Sequence, residues 1–174
     1  MFKAKVTAKP KLGFLGTGLM GSPMTLRLLD AGYNIYIWNR TAEKITSLLE
    51  NGATAADSPA AVAIESEFVF MCLTDANAVE QVVFGDKGVV KTGSEKKLLV
   101  DFSSIPPNLT RAFSMRLESE CGMSWIDAPV SGGVKGAEEG TLAILAGGKL
   151  EAIEQIRPIV SNLCNRMTHM GHTG

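Results

Sequence analysis

Three glycines in the run Gly16-Thr17-Gly18-Leu19-Met20-Gly21 restrict the fold of this chain more than any other feature of its sequence. An apolar run, residues 12–15, precedes them, and Met20, Met24 and Leu28 follow at intervals of about one helical turn. This order predicts a strand, a tight glycine turn and a helix. In such a unit the first glycine allows the turn, the second lets a ligand approach the backbone, and the third lets helix and strand pack closely.

The start of the predicted helix indicates which chemical group the glycine run would bind. The first N–H groups of a helix have no partner inside it, and the helix dipole is positive at this end, so the turn predicts a pyrophosphate site. All six residues of the run, Gly16 to Gly21, are therefore candidate cofactor-binding residues. One alternative stays open, a glycine-rich turn that binds no ligand.

The rest of the chain alternates between patterns typical of strands and of helices. Continuous apolar runs at residues 68–73 and 98–100 indicate parallel strands covered on both faces. Ser58-Pro59 and Asp75 are predicted to begin helices, and Thr41 is a further candidate helix cap. This alternation predicts an α/β fold with a doubly wound, Rossmann-like, mostly parallel sheet. Residues 130–140, which are rich in glycine from Gly132 onward, are expected to form a loop.

Length and charge exclude several classes of protein. The 174 residues suit one domain, or one domain and a fragment of another. With a formal net charge of −1 and no apolar run near the ~20 residues that span a bilayer, the chain is predicted to bind neither nucleic acid nor membrane. Residues 1–11 carry four lysines and no acid, and we interpret them as a leader. Residues 12–174 are then the dinucleotide-binding domain.

Cysteine and histidine are too few and too widely spaced for a metal site or a disulfide framework. The three cysteines are Cys72, Cys121 and Cys164, and the two histidines are His169 and His172. We therefore predict no metal site. This cysteine usage favours a reducing compartment, either the cytoplasm or an organelle matrix.

The residues that end the second predicted strand indicate which dinucleotide would bind. An acidic residue about 20 positions after the glycine run usually holds the ribose 2′-hydroxyl of NAD. Here that place reads Asn39-Arg40-Thr41 and contains no carboxylate. Because arginine attracts and pairs with a 2′-phosphate, we predict NADP, with NAD as the second option. The alternative is that Arg40 is a solvated surface residue and Thr41 only a helix cap.

Several ordered blocks beyond the glycine run resemble one enzyme family. They are Met71-Cys72-Leu73-Thr74, Asp101-Phe102-Ser103-Ser104-Ile105, Asp127-Ala128-Pro129-Val130-Ser131-Gly132-Gly133 and the closing Gly171-His172-Thr173-Gly174. Together with residues 13–24 they are similar to the β-hydroxyacid dehydrogenases. That family includes 3-hydroxyisobutyrate dehydrogenase, tartronate semialdehyde reductase and the glyoxylate/succinic semialdehyde reductases. The resemblance extends from Leu12 to the last residue.

The resemblance implies roles for individual residues. Residues expected to line the cofactor beyond the pyrophosphate are Leu73, Thr74 and Asn77, and Ser104 would lie near the nicotinamide ribose. Ser131, Gly132 and Gly133 would hold the carboxylate of a small acid substrate. Consecutive small residues can expose backbone N–H groups as an anion-binding concavity. A flexible turn is the alternative for these three residues.

The resemblance also implies a reaction, hydride transfer between NADP(H) and a small β-hydroxyacid or semialdehyde. In the family, the catalytic lysine and an all-helical C-terminal domain follow the block that Gly171 begins. The sequence stops at Gly174, and the spacing of Lys135 does not match, so no catalytic residue is assigned in this chain. We expect these residues to bind nucleotide but to turn over very slowly. The expected partner is the missing helical domain, without which exposed apolar surface would favour a homo-oligomer.

Two other functions share parts of this pattern. 6-Phosphogluconate dehydrogenase also resembles the chain in the glycine run, in Asn39-Arg40-Thr41 and in a Ser-Gly-Gly loop. The wording of residues 127–133 favours the hydroxyacid enzymes over it. The second alternative is a non-catalytic nucleotide-binding scaffold domain.

Overall fold

The computed structural model describes residues 9–174, so most of the predicted leader, residues 1–8, lies outside the described residues. Lys9 and Lys11 are described, and each places its ammonium group over a tyrosine ring of the domain, Tyr33 and Tyr36. These contacts are 4.7 and 5.7 Å from nitrogen to ring centroid.

Strands and helices alternate over the described residues, as the sequence pattern predicts. The strands are β1 (Leu12–Leu15), β2 (Ile35–Trp38), β3 (Thr54–Ala55), β4 (Phe68–Met71), β5 (Leu98–Asp101), β6 (Ser124–Asp127), β7 (Val130–Ser131), β8 (Leu142–Gly147) and β9 (Cys164–Gly171). The helices are α1 (Gly21–Asp30), α2 (Thr46–Glu50), α3 (Pro59–Glu65), α4 (Ala76–Phe84), α5 (Pro107–Cys121), α6 (Gly133–Glu139) and α7 (Leu150–Val160). Two short 3-10 segments cover Ala42–Ile45 and Val89–Lys91.

The described strands form one sheet, in the order β3-β2-β1-β4-β5-β6-β8-β7, and β9 also pairs with β8. The strands from β3 to β6 are parallel, whereas β8 runs antiparallel to β6 and β7. The chain moves outward from β1 to one side and then returns to add β4 on the other. This change of direction confirms the predicted doubly wound sheet, and it marks the carboxyl end of β1 as the place where such folds bind ligands.

Two apolar layers cover the sheet, one on each face. Phe14 packs on the face covered by α1 and α7, and the next residue, Leu15, packs on the face covered by α3, α4 and α5. On the first face the rings of Phe14, Phe70 and Phe102 stack across neighbouring strands, with centroids 6.4 and 5.7 Å apart. Burial on both faces explains why the central strands read as continuous apolar runs.

Two predicted helix starts are confirmed by their capping bonds. The Ala61 N–H donates to Ser58 Oγ at 3.1 Å, and the Ala78 N–H donates to Asp75 Oδ1 at 2.9 Å. The latter bond is the main reason that the pKa of Asp75 lies below its usual value. Thr41 precedes the 3-10 segment, but its side chain makes no capping bond to the described residues.

The predicted loop over residues 130–140 is wrong. Val130–Ser131 is strand β7, and Gly133–Glu139 is helix α6, which ends at Gly140 with a φ of +69°. Gly136 lies inside this helix, where it allows close packing on the sheet. A Cβ there would lie 3.1 Å from Leu142 Cδ2 on β8. The glycine content therefore reflects contact between α6 and the sheet, as well as turns.

A single lysine caps the carboxyl end of α3. The Lys97 Nζ donates to the carbonyls of Ala63, Ile64 and Ser66, the last at 2.6 Å, and partial burial lowers the pKa of Lys97. We predict that Lys97→Met lowers the free energy of unfolding by about 1 kcal/mol, because these carbonyls lose a charged donor. Urea unfolding measures this change. Lys96→Met removes the same charge from an exposed neighbour and should cost less; an equal loss would contradict the prediction.

Candidate functional site

A cavity of about 680 Å³ lies at the carboxyl ends of β1, β2 and β4. Eight of the predicted cofactor-binding residues line it, namely Gly16, Gly18, Asn39, Arg40, Thr41, Leu73, Thr74 and Asn77. They come from three separate turns that the parallel register brings to one edge of the sheet, since Leu15 pairs with both Trp38 and Met71. The predicted residues that do not line this cavity are Thr17, Leu19, Met20, Gly21, Ser104, Ser131, Gly132 and Gly133.

The three glycines of the turn have different surroundings. Gly16 has a φ of +87°, and a Cβ on it would lie 2.5 Å from the carbonyl oxygen of Cys72. At Gly21 a Cβ would overlap the carbonyl oxygen of Gly16. Around the Cβ position of Gly18, by contrast, no heavy atom of the described chain lies within 4 Å. Gly16 and Gly21 are therefore required by the turn itself, and Gly18 leaves open space beside the cavity.

The other residues of the turn differ in burial. Leu19 is 82% exposed, and Met20 packs against the core. Thr17 is buried, and its N–H donates to Asn39 Oδ1 at 3.2 Å. Among the described residues its Oγ1 has no hydrogen-bond partner.

Asn39 ties the glycine turn to the loop after β2. While its Oδ1 accepts the Thr17 N–H, its Nδ2 donates to the Thr41 carbonyl at 2.8 Å. This pair of bonds fixes the backbone on both sides of Arg40, whose side chain is exposed at the cavity. Both groups of the Asn39 amide thus bond to the protein, and they link the Arg40 loop to the glycine turn.

Two lysines at the cavity were not found by sequence reasoning, Lys44 and Lys87. Lys44 lies in the short 3-10 segment that follows Arg40 and Thr41, so it is close in sequence to two predicted residues. Lys87 had no such signal, because it reaches the site through tertiary structure: its carbonyl accepts the Ala60 N–H at 3.0 Å. Both add positive charge to the lining of the cavity.

A hydrogen-bonded chain of buried groups stands behind the turn after β4. The Leu73 N–H donates to Ser103 Oγ at 2.9 Å, and the Ser103 N–H donates to Asp101 Oδ1 at 2.8 Å. Asp101 is 1% exposed, and burial raises its pKa to about 7, against the effect of its bonds to Ser103. Burial, with Asp101 nearby, also raises the pKa of Cys72 to about 11, so this cavity-lining thiol is neutral.

Asp101 makes the stability of the fold depend on pH. Its raised pKa means that the folded protein holds a proton that the unfolded chain releases, so this contribution is complete below about pH 4 and is lost as pH rises through 7. Relative to Asp101→Asn, the wild-type free energy of unfolding should fall by about 2 kcal/mol between pH 5 and pH 7. Urea unfolding across this range measures it. A constant difference between the two proteins would contradict the assignment.

Ser104 and the Ser131-Gly132-Gly133 segment lie farther along the same edge of the sheet. Ser104 is exposed two residues beyond Phe102, after β5. Ser131 ends β7, and Gly132 and Gly133 have φ values of +132° and +61°. The segment that leads to them begins at Asp127, which pairs in register with Asp101.

The closing residues of the chain pack against β6. The Gly174 N–H donates to Asp127 Oδ1 at 2.8 Å, and Thr173 Oγ1 donates to the Trp125 carbonyl at 3.3 Å. Burial raises the pKa of Asp127. These bonds place the last block of the sequence beside the segment that leads to Ser131, as neighbours on one edge of the sheet.

Two further observations concern the described residues as a whole. No helix within residues 9–174 has both the length and the apolar character needed to cross a membrane. The same residues contain no group of three or more His, Cys, Asp or Glu side chains placed to hold a metal ion.

Fold and site together define a dinucleotide-binding domain of the Rossmann type, with a glycine turn after β1 and a cavity at the point where the strand order reverses. Residues 11–171 match the sequence model of a family described as the NAD binding domain of 6-phosphogluconate dehydrogenase. The chain belongs to this family of NAD(P)-binding domains.

Curated relatives show which enzymes contain such a domain. The chain is 37% identical over 164 residues to 2-(hydroxymethyl)glutarate dehydrogenase of Eubacterium barkeri, a match that covers 94% of this chain and 54% of the relative. It is equally identical, over 164 residues, to 2-hydroxy-3-oxopropionate reductase of Escherichia coli K12, covering 94% and 56%. The chain thus spans about half the length of these relatives. The resemblance to hydroxyacid dehydrogenases is confirmed.

A solved structure agrees with this assignment. The chain superimposes on Psf3 in complex with NADP⁺ and 2-OPP with a TM-score of 0.88 and 30% sequence identity, covering 93% of this chain and 57% of that one. As with the curated relatives, the match is to a little over half of a longer protein.

Proposed function

We propose that this chain is the NADP-binding domain of an oxidoreductase that transfers a hydride between NADP(H) and a small β-hydroxyacid or semialdehyde. The observation that carries the proposal is the cavity, which is lined by the glycine turn and by Arg40 and Lys44. A dinucleotide with a 2′-phosphate has anionic groups at two such places, its pyrophosphate and its adenosine ribose.

The open space at Gly18 and the N-terminus of α1 favour the pyrophosphate at the glycine turn. Arg40 is proposed to pair with the 2′-phosphate, and Lys44 and Thr41 are proposed as its further partners. Residues proposed for the opposite wall of the cavity are Leu73, Thr74 and Asn77, and Ser104 is proposed for the nicotinamide ribose. Asn39 acts in this scheme by fixing the Arg40 loop to the turn.

The proposed substrate is a small carboxylic acid, held by Ser131, Gly132 and Gly133. Gly132 precedes helix α6 and Gly133 begins it, and neither has a side chain that would shield its backbone N–H from an anion. The names of the two curated relatives, a hydroxymethylglutarate dehydrogenase and a hydroxyoxopropionate reductase, both denote carboxylic acids. They favour this substrate class over a sugar phosphate.

The proposed partner is a C-terminal helical domain that contributes the general acid of the reaction. Exposed apolar side chains on β8, β9 and the start of α7 offer it a surface, namely Leu145, Met170 and Leu150. The same surface would support a homo-oligomer of the chain by itself. The three cysteines are free thiols, and we place the protein in a reducing compartment.

Titration with both nucleotides tests the central proposal. Fluorescence of bound NADPH and NADH should show that NADPH binds at least about tenfold more tightly, since a charge-assisted bond to the 2′-phosphate contributes about 1.5–3 kcal/mol. Binding of NADH with equal affinity would overturn the choice of NADP and leave the dinucleotide site. Failure of both nucleotides to bind would overturn the site itself.

A further inference from the structure

We propose that Ser103 and Asp101 are positioning residues for nucleotide binding, which hold the backbone of Leu73 in place against the glycine turn. The proposal rests on the proposed nucleotide site, and it concerns two buried residues that do not line the cavity. They act on a bound nucleotide only through Leu73, which does line it.

The first contact in this arrangement replaces a missing strand partner. Strand β4 ends at Met71, and the Cys72 N–H still donates to the Leu15 carbonyl at 3.0 Å. One residue later the Leu73 N–H donates to a side chain instead, Ser103 Oγ at 2.9 Å. A serine hydroxyl thus fixes the direction in which the chain leaves the sheet.

Leu73 in turn abuts the glycine turn. A Cβ on Gly16 would lie 2.5 Å from Leu73 Cδ2, so the Leu73 side chain occupies the space that the glycine leaves. A shift of Leu73 would therefore be felt at the turn, as well as along the cavity wall that Leu73 forms with Thr74.

Asp101 fixes the orientation of Ser103. It accepts the Ser103 N–H at 2.8 Å and also bonds the Ser103 side chain. Since the Ser103 oxygen accepts from Leu73, its own hydrogen is free to point at the Asp101 carboxyl. The titratable groups that face Asp101 are Asp127 on β6 and Cys72 after β4. The Cys72 thiol is neutral and Asp127 is another carboxyl group, so neither supplies a positive charge that would offset a negative charge on Asp101.

The stability of the fold does not explain why a carboxyl group is buried at Asp101. Burying a carboxyl group costs free energy, and its raised pKa records that cost. An arrangement that is costly to the fold yet fixes a residue beside the cavity is typical of groups that position a binding site.

The test uses the whole 174-residue chain and a matched pair of buried serines. Ser66 is 1% exposed, and its hydroxyl donates to the Val62 carbonyl at 2.7 Å, away from the cavity. Ser103→Ala should raise the Kd for NADPH about tenfold, because the turn loses its anchor. Ser66→Ala should lower the melting temperature about as much as Ser103→Ala does, and it should leave the Kd for NADPH unchanged. Ser103→Thr keeps the hydroxyl and should recover most of the affinity.

A second measurement reports on the anchor without nucleotide. Hydrogen exchange of the Leu73 amide, followed by NMR, should accelerate in Ser103→Ala and not in Ser66→Ala. If Ser103→Ala fails to fold, Asp101→Asn replaces it, since it keeps the shape and weakens the hold on Ser103; its Kd should rise about threefold.

The outcomes separate this proposal from the proposed function. If the wild-type chain binds no NADPH, the nucleotide site is wrong, and unchanged Leu73 exchange in Ser103→Ala would overturn the anchor as well. If NADPH binds and Ser103→Ala matches Ser66→Ala in Kd, the two residues are structural only and the positioning role is overturned.

Discussion

Gly18→Val should reduce NADPH affinity at least about 100-fold and leave the fold intact, with a stability change within about 0.5 kcal/mol. No heavy atom of the described chain lies within 4 Å of the Cβ position, and the backbone there has no positive φ, so the fold can accept a side chain. The side chain would instead fill the space proposed for the pyrophosphate. NADPH titration and thermal unfolding measure the two quantities separately.

Gly21→Ala provides the contrasting control in the same turn. Its Cβ would overlap the Gly16 carbonyl oxygen and lie 3.1 Å from the ring of Phe14, so we expect a loss of about 3 kcal/mol in the free energy of unfolding. If Gly18→Val unfolds the protein and Gly21→Ala does not, the assignment of a ligand-facing and a packing glycine is reversed. If Gly18→Val keeps full affinity, the pyrophosphate does not bind at this turn.

The parts of the structure that sequence could predict are those with a local physical cause. The glycine turn was predictable because each of its glycines meets a separate local requirement, namely the turn, open space for a ligand, or close packing. The surroundings of Gly16, Gly18 and Gly21 differ accordingly. Strand β4 was predictable because burial on both faces requires a continuous apolar run. Asp75 was predictable as a helix cap because its side chain bonds a residue three positions on.

The parts that were missed depend on contacts between distant segments. Helix α6 was missed because Gly136 resembles a turn residue until Leu142 is seen to pack over it. Strand β3 has two exposed residues and exists only because β2 offers an edge to pair with. The hydrogen bond between Ser103 and Leu73 could not be predicted, because the two residues are thirty positions apart in sequence.

The site itself divides in the same way. Arg40 could be named from the residues that end β2, because the position follows from strand order and the glycine run. The contacts that hold the Arg40 loop could not be predicted, because the two bonds of Asn39 join this loop to a turn that follows another strand. Local sequence thus predicts many of the groups that line the cavity, and tertiary contacts determine how firmly each is held.

That division makes Arg40 the sharpest single test of the cofactor. Arg40→Glu places a carboxylate where the 2′-phosphate is proposed to bind, so attraction becomes repulsion and NADPH affinity should fall at least about 100-fold. NADH has no phosphate there, and its Kd should change by less than about threefold. Titration of both nucleotides at low and high salt measures the selectivity, and the wild-type preference should shrink as salt screens the charges.

Arg166→Glu is the matched control for this charge reversal. Arg166 is also an exposed arginine, but it lies on β9 and donates to Thr168 Oγ1, away from the cavity. Its reversal changes the net charge of the protein equally and should leave both affinities unchanged, because the two variants differ only in where the charge lies. If Arg40→Glu weakens NADPH and NADH alike, or if Arg166→Glu weakens NADPH as strongly, then Arg40 contributes general positive charge and does not select the 2′-phosphate.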